Sequence, residues 1–275
     1  YLPKVFVNYE VLINSIKAKE IKVDLIVLAT PSGLHPKQVV SAAGAKVNVC
    51  TEKPMATSWD KGLEMVEVCE KEQVSLFVIK QNRFNKTLKL LKKQIEKGRF
   101  GKISMINSNV FWQRPQKYYD QDRWRGTWEL DGGALMNQAS HYVDLLCWIG
   151  GPVESINAAI ATIGRRIEVE DTAALRLKWR NGALGTMAVT MLTYPKNLEG
   201  SIIILGEKGT VKIGGSALNN IDYWEFDDND IDDNEIKKSN YSIDNVYGHG
   251  HVDYYKNMLN SLLGEEEAMC DGREG

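Results

Sequence analysis

Three short apolar runs, each followed by helix punctuation, govern the first third of the chain and leave it few ways to fold. "VDLIVLAT" (residues 23–30) is almost continuously apolar, broken only by Asp24. Such a run suits a strand covered on both faces, as in a parallel sheet. Pro36 fits the first turn of a helix and Gly44 its end. "AKVNVC" (residues 45–50) reads as a second strand. Ser58 is placed to cap a helix running to about Glu72, and "VSLFVIK" (residues 74–80) follows as a third strand. Strands alternating with helices at this spacing predict right-handed βαβ units. A further helix, "TLKLLKKQIEK" (residues 87–97), ends at Gly98.

After Gly101 the period changes. "KISMINSNVFW" and "TAALRLKW" alternate like half-buried strands, and Asn181-Gly182 predicts a two-residue hairpin turn into "LGTMAVTML". "SIIILGEKGTVKIG" reads as another hairpin, and "SHYVDLLCWIG" as a helix inserted before the hairpins. The expected fold class is α/β: part of a parallel sheet over residues 1–83, then an α+β domain over 84–275 with a large, open, mainly antiparallel sheet. In "TAALRLKW" one side of the strand holds Ala173, Leu175, Leu177 and Trp179, and the other holds Thr172, Ala174, Arg176 and Lys178. In the next strand neither side is charged, so part of this sheet needs a partner, and a homodimer or homotetramer is expected.

Charge and cysteine usage remove several function classes. The 275 residues carry a net charge of −2 with both signs dispersed, which excludes nucleic-acid and membrane-surface partners as an expectation. The longest apolar run is strand-sized, far short of the ~20 residues of a membrane span. Cys50, Cys69, Cys147 and Cys270 form no C-x-x-C pair, which predicts reduced, buried thiols and a cytoplasmic setting. "DDNDIDDNE" (residues 227–235) invites a calcium reading, but the sixth and twelfth positions counted from Asp228 hold Asp233 and Ser239 instead of glycine and glutamate. It reads as a solvated loop, and no metal is expected.

Open parallel sheets bind ligands at the carboxyl ends of their strands. Those ends carry "ATPSGLH", "TEKP" and "KQNRFN", so Thr30, His35, Lys53, Gln81 and Asn82 are candidates for one site. Lys53 either binds an anionic ligand or polarises a hydroxyl undergoing oxidation; a salt bridge to Glu52 is the plainer alternative. In "DGGALMNQASHYVDLLCWIGG", Asn137, His141 and Asp144 fall at i, i+4 and i+7, on one face of the predicted helix. Histidine titrates near neutrality, so His141 suits the acceptance of a proton from an alcohol. A third stretch, "FWQRPQKYYDQDRWRGTWELDGG", sets Trp112, Tyr118, Tyr119, Trp124 and Trp128 among Arg114, Arg123 and Arg125. Aromatic faces with arginines suit sugars, bases and phosphates, or equally an interface patch.

"TPSGLH", "TEKP" and "GGALMNQASHYVDLL" together resemble the glucose–fructose oxidoreductase / inositol dehydrogenase (Gfo/Idh/MocA) family, from about Val23 to the end of the chain. "QNRFN", "RPQKYYDQDRWRGTWELDGG" and "GRRIEVEDTA" resemble its UDP-N-acetylglucosaminuronate 3-dehydrogenases in particular. The resemblance implies a Rossmann domain followed by an open-sheet domain. It implies NAD as cofactor, with NADP as the alternative, and oxidation at C3 of a nucleotide-linked sugar used for bacterial surface polysaccharides such as lipopolysaccharide O-antigen. A dehydrogenase of an unlinked sugar or inositol, and a non-catalytic sugar-binding protein on the same fold, are the rivals. By the same resemblance, Lys53 orients the reacting hydroxyl and the cofactor while His141 accepts the proton. Thr30, Pro31, His35, Glu52, Pro54 and Gln81 line the cofactor, and Tyr119, Arg123, Trp124 and Asn137 join Lys53 and His141 on the substrate. Many family members carry aspartate at the position of Asn137; an amide cannot act as a base, which moves that role toward His141 or Lys53. The family's glycine-rich turn, G-x-G-x-x-G, occurs nowhere in the chain. A fragment lacking the first βαβ portion and the last helix is therefore expected, one that binds cofactor poorly.

Overall fold

The computed structural model describes residues 3–243 and 248–275, so Tyr1 and Leu2 of the opening segment lie outside the described residues. Two compact units result. Residues up to Ile79, Glu129–Asp131 and Lys256–Gly275 form the first, and Lys80–Trp128 with Gly132–Tyr255 form the second. The expected second domain, 84–275, contained the closing segment that here packs with the first unit. There Asp271 makes an antiparallel bridge to Phe77, and the Arg273 guanidinium donates to Glu70 at 2.7 Å.

The first unit opens with helix α1 (Tyr9–Lys17), whose N-cap Asn8 accepts the Val11 N–H at 2.9 Å. Strands β1 (Leu25–Leu28), β2 (Asn48–Thr51) and β3 (Leu76–Val78) alternate with α2 (His35–Ala43) and α3 (Trp59–Glu72). The three strands pair in parallel in the order β1-β2-β3, as their continuous apolar character requires. They are shorter than the apolar runs that announced them, because only the central residues reach the buried middle of the layer. Val49, Cys50 and Val78 are fully buried there, and Val49 shares one core with Val39 and Ala42 of α2 and Met65 of α3. Ser58 stands at the N-cap of α3 in extended conformation, but its side chain makes no capping bond; α3 ends on Gln73 in the left-handed region.

In the second unit α4 (Lys86–Glu96), β4 (Ile103–Phe111), α5 (Gln116–Asp120) and α6 (Ser140–Gly150) precede six strands. These are β5 (Val153–Ala161), β6 (Thr172–Trp179), β7 (Leu184–Thr190), β8 (Glu199–Gly206), β9 (Gly209–Gly214) and β10 (Asn220–Phe226). Helix α7 (Ile236–Ser239) follows, and then α8 (Gly250–Leu262), whose residues from Lys256 on belong to the first unit. The seven-stranded sheet runs β10-β9-β8-β4-β7-β6-β5; its one parallel pair is β4 with β7. Ile106, Val110, Leu177, Trp179, Met187, Val189, Ile202 and Ile204 on one face bury against Leu88 and Leu91 of α4 and Tyr142, Leu145 and Ile149 of α6. Gly150 permits that approach: a Cβ on it would lie 2.4 Å from the Trp179 indole nitrogen.

Three local expectations are corrected. The hairpin at Asn181-Gly182 has a three-residue loop, closed by the Trp179 N–H to Ala183 O (2.9 Å) and the Gly182 N–H to Trp179 O (2.9 Å). Gly182 takes the left-handed position (φ 90°) that such a loop demands. The acidic run is not a solvated loop. It folds into a 3-10 turn (Ile231–Glu235) with a capping box at Asp230, and its carboxylates bind α4 and the residues after it. Lys93 and Lys97 donate to Asp232 (both 2.7 Å), and Arg99 donates to Asp228 (2.9 Å) and Asp233 (2.9 Å). Of the four thiols, Cys147 is exposed, on the outward side of α6.

Candidate functional site

In the first unit the carboxyl ends of β1 and β2 lead into two loops with one histidine between them. His35 is fully buried at the start of α2, with Nδ1 3.1 Å from the Pro54 carbonyl and Nε2 3.0 Å from the Thr30 carbonyl. Burial lowers its pKa, against the upward pull of those carbonyls and of Glu52. His35 therefore sits between the loop after β1 and the loop after β2, its neutral ring donating to one of the two carbonyls. Thr30 is exposed and donates to Gln38 at 2.6 Å. The Glu52 carboxylate accepts the Lys53 N–H at 3.2 Å, and the peptide joining Lys53 to Pro54 is cis. Lys53 is half-buried. Beside it, the Thr51 hydroxyl is buried with no hydrogen-bond partner among the described residues. Gly33 in the first loop donates to Leu130 O at 3.2 Å, and a Cβ on it would stand 2.0 Å from Glu129 O, so only glycine fits.

In the second unit the 3-10 turn Gln81–Phe84 lies against α6. Arg83 donates through Nε and Nη2 to the two oxygens of Asp144, at 3.0 and 2.6 Å, with both side chains almost wholly buried. The Lys80 ammonium lies 3.8 Å from the same carboxylate. Two residues before Arg83, the Gln81 amide nitrogen is 3.1 Å from His141 Nε2. The oxygen of that amide, and the amide oxygen of Asn82, have no partner among the described residues. His141 and Asp144 share one face of α6 as expected. Asn137 does not belong to that helix: α6 begins at Ser140, and Asn137 sits in the preceding turn, where its carbonyl accepts the Ser140 hydroxyl at 2.9 Å. Gly132 and Gly133, both at positive φ, delay the helix by that turn.

The aromatic stretch is organised by its arginines. Arg114 lies over Trp112 (5.2 Å) and Tyr118 (5.5 Å), and Arg125 over Tyr118 (4.2 Å) and Trp124 (5.5 Å) with its Nε 2.9 Å from Asp122. These two guanidiniums are occupied in place, whereas Arg123 is exposed. Tyr119 is buried edge-on to Tyr118, and Trp124 is half-buried. Sequence reasoning passed over the carboxylates that shape this region. Asp171, fully buried, accepts three successive backbone N–H groups, from Ile163 (3.0 Å), Gly164 (2.8 Å) and Arg165 (2.9 Å). Glu170 accepts the Leu135 N–H at 2.9 Å, and a Cβ on Gly133 would collide with it. The available signal was the pair of acids ending "GRRIEVED", directly before an apolar strand. Arg83, too, was signalled only by a charge next to a buried run. The first unit thus groups Thr30, Pro31, His35, Glu52, Lys53 and Pro54, and the second groups Gln81 with His141 and gathers Tyr119, Arg123 and Trp124 on one short stretch.

Comparison with known proteins agrees in both halves. A family model described as oxidoreductase family, NAD-binding Rossmann fold, GFO_IDH_MocA, matches residues 3–80, and the GFO/IDH/MocA C-terminal domain model matches residues 88–212. The crystal structure of the WlbA dehydrogenase from Bordetella pertussis in complex with NADH and UDP-GlcNAcA is 58% identical, with a TM-score of 0.91, over 95% of this chain and 75% of that one. Among curated proteins, 2,7-anhydro-N-acetylneuraminate hydratase of Escherichia coli is 29% identical over 70% of this chain and 51% of its own length. Levoglucosan dehydrogenase of Pseudarthrobacter phenanthrenivorans is 23% identical over 69% and 55%. The chain spans about half the length of the curated relatives it matches.

Proposed function

Because the chain belongs to the GFO/IDH/MocA oxidoreductase family, we propose that it oxidises a sugar hydroxyl with NAD, the substrate being UDP-GlcNAcA and the reacting carbon C3. The observation that carries this reading is the 58% identity, over 95% of the chain, with a dehydrogenase whose structure holds NADH and UDP-GlcNAcA. At that identity the 18–29% relatives with other substrates are much weaker guides.

The residues present suit the nicotinamide end of the cofactor. The unpartnered, buried Thr51 hydroxyl and the exposed Thr30 are uncharged hydrogen-bonding groups at strand carboxyl ends, the place where such sheets take ligands. Thr30, Pro31, Glu52, Lys53 and Pro54 would hold that end, with His35 seated between their two loops. When bound, the nicotinamide supplies a hydride acceptor for the carbinol carbon. Lys53, as an ammonium donor, orients the hydroxyl. His141 takes its proton as the carbinol becomes a ketone. Arg123, with Tyr119 and Trp124, addresses the anionic, nucleotide-linked end of the substrate, and Asn137 contributes an amide to the sugar.

Around this chemistry we infer a cytoplasmic homo-oligomer serving surface-polysaccharide synthesis. A sheet row of Leu184, Met105 and Leu205, in register on three adjacent strands, supports the oligomer, because Leu184 is 50% and Met105 37% exposed. Light scattering of Leu184→Asp should show a smaller particle than the parent; an unchanged mass overturns this assignment. Turnover itself is tested by following reduced-nicotinamide absorbance with UDP-GlcNAcA. Lys53→Met and His141→Asn should each abolish it while circular dichroism stays unchanged. Full turnover in both variants overturns the proposal, as does oxidation of an unlinked sugar in place of UDP-GlcNAcA.

A further inference from the structure

Two successive residues, Lys80 and Gln81, meet two neighbouring residues of α6. Gln81 reaches His141, with its amide nitrogen 3.1 Å from Nε2. Lys80 reaches Asp144, which lies three residues after His141 and so on the same side of the helix. The Lys80–Asp144 contact is loose. At 3.8 Å it is too long for a hydrogen bond, and both oxygens of Asp144 already accept from Arg83, at 3.0 and 2.6 Å. Lys80 donates no hydrogen bond to any described residue. Lys93 and Lys97, by contrast, each donate to the carboxylate they face, that of Asp232, at 2.7 Å.

The Lys80 side chain is only 10% exposed, so its ammonium has lost much of its hydration without gaining an acceptor for its three N–H groups among the described residues. It is not sealed off, however. The amide oxygens of the next two residues, Gln81 and Asn82, are wholly enclosed, whereas Lys80 Nζ keeps solvent access. A poorly hydrated cation with open donors favours an anionic oxygen that arrives from outside the chain. Its place, about one helical turn from the residue read as proton acceptor, selects a group on the same sugar ring as the reacting hydroxyl.

We propose that Lys80 is the specificity-determining residue for the substrate's carboxylate: its ammonium binds the uronate group on C5 while the hydroxyl on C3 of the same ring meets His141. This rests on the reading of UDP-GlcNAcA as substrate and of His141 as proton acceptor. The C3 hydroxyl and the C5 carboxylate are separated by C4 alone, a span of the same order as the ~5–6 Å between neighbouring side chains on one side of a helix. The diphosphate leaves the ring from C1, on the other side of C3, and is the group assigned to Arg123 with Tyr119 and Trp124. No bond is made or broken at Lys80. A neutral sugar, with a hydroxymethyl group in place of the carboxylate, leaves the ammonium without its counter-charge and is bound less well for that reason.

Titration calorimetry with UDP-GlcNAcA, UDP-GlcNAc and UDP separates the carboxylate from the rest of the ligand and needs no turnover. The parent should bind the acid ~10- to 100-fold more tightly than UDP-GlcNAc, which is what one charge-assisted hydrogen bond supplies. Lys80→Met should bring these two ligands to near-equal affinity and leave UDP binding as it was. Lys80→Gln should do the same and covers the case in which the first variant fails to fold, while Lys80→Arg should retain most of the preference. A merely structural role gives a different pattern, in which all three ligands weaken together. That pattern overturns the proposal, as does a preference for the acid that survives in both neutral variants, or a parent with no preference. If Lys80 sets the preference as described but the parent does not oxidise UDP-GlcNAcA, the carboxylate site stands and the proposed activity falls. If UDP-GlcNAcA is oxidised with a preference indifferent to Lys80, the activity stands and this assignment falls.

Discussion

The buried pair Arg83–Asp144 allows a sharp energetic prediction. Both side chains are 3% exposed, and two hydrogen bonds of 3.0 and 2.6 Å join them. Removing one member of such a pair leaves a desolvated charge without its counter-charge, at a cost of about 3–5 kcal/mol. Asp144→Leu should show the larger penalty, because it removes the carboxylate that faces both the Arg83 guanidinium and the Lys80 ammonium. Arg83→Met should cost less, since Lys80 at 3.8 Å still faces the carboxylate. Replacing both residues removes the guanidinium with its carboxylate and leaves only the Lys80 ammonium, and hydrophobic substitution of a buried pair is often neutral. The double variant should therefore be more stable than Asp144→Leu, with a coupling of ~2–4 kcal/mol between the two sites. Urea denaturation of the four proteins, read by tryptophan fluorescence, measures this cycle. Additive single-site costs would refute the reasoning, since they would mean that neither charge depends on the other. A double variant less stable than either single would refute it as well.

Two further expectations follow from charge and exposure. Arg99 holds the Asp233 carboxyl down to about 2, so this carboxylate stabilises the folded chain above the ordinary range near ~4 and loses that contribution as the pH falls through the folded value. Thermal melts of Asp233→Asn should lie below the parent at pH 7 and converge with it near about pH 2; parallel curves would contradict the pairing. A disulfide-exchange reagent should modify Cys147 rapidly in the native protein, while Cys50, Cys69 and Cys270 react only on unfolding. Burial pushes the Cys69 thiol up to about 11, which slows it further. Fast reaction of two or more thiols would show that the first unit opens.

Much of the architecture could be read from the chain because burial on both faces and burial on one face write different patterns. Residues 23–30, 45–50 and 74–80 are mainly apolar, and their central parts became parallel strands. "TAALRLKW" alternates and became β6, with Ala173, Leu177 and Trp179 inward and Ala174, Arg176 and Lys178 exposed. β5 and β10 were not anticipated. They are edge strands with little burial on either face, so no period marks "VESINAAIA" or "NIDYWEF". The acidic run was misread for a related reason. Its counter-charges lie on and after α4, more than a hundred residues earlier, and local composition cannot show a partner that distant. At the candidate site, Lys53 and His141 were visible as residue types in motifs. The Gln81–His141 and Arg83–Asp144 contacts were not, since they join segments about sixty residues apart through side-chain reach.

The parallel pairing of β4 with β7 has a consequence for how the second unit assembles. β4 takes Met105 to Leu184 on one edge and to Leu205 on the other, so both of its neighbours are made ~80–100 residues after it. The strands on either side, β5 to β7 and β8 to β10, close through short connections and can zip locally. A chain emerging from the ribosome thus carries an unmatched β4 until the two later meanders arrive to flank it. Destabilising substitutions in β4 should accordingly leave the folding rate nearly unchanged and hasten unfolding, while those in the β6–β7 hairpin should slow folding; the reverse ordering in stopped-flow refolding would place the seam first.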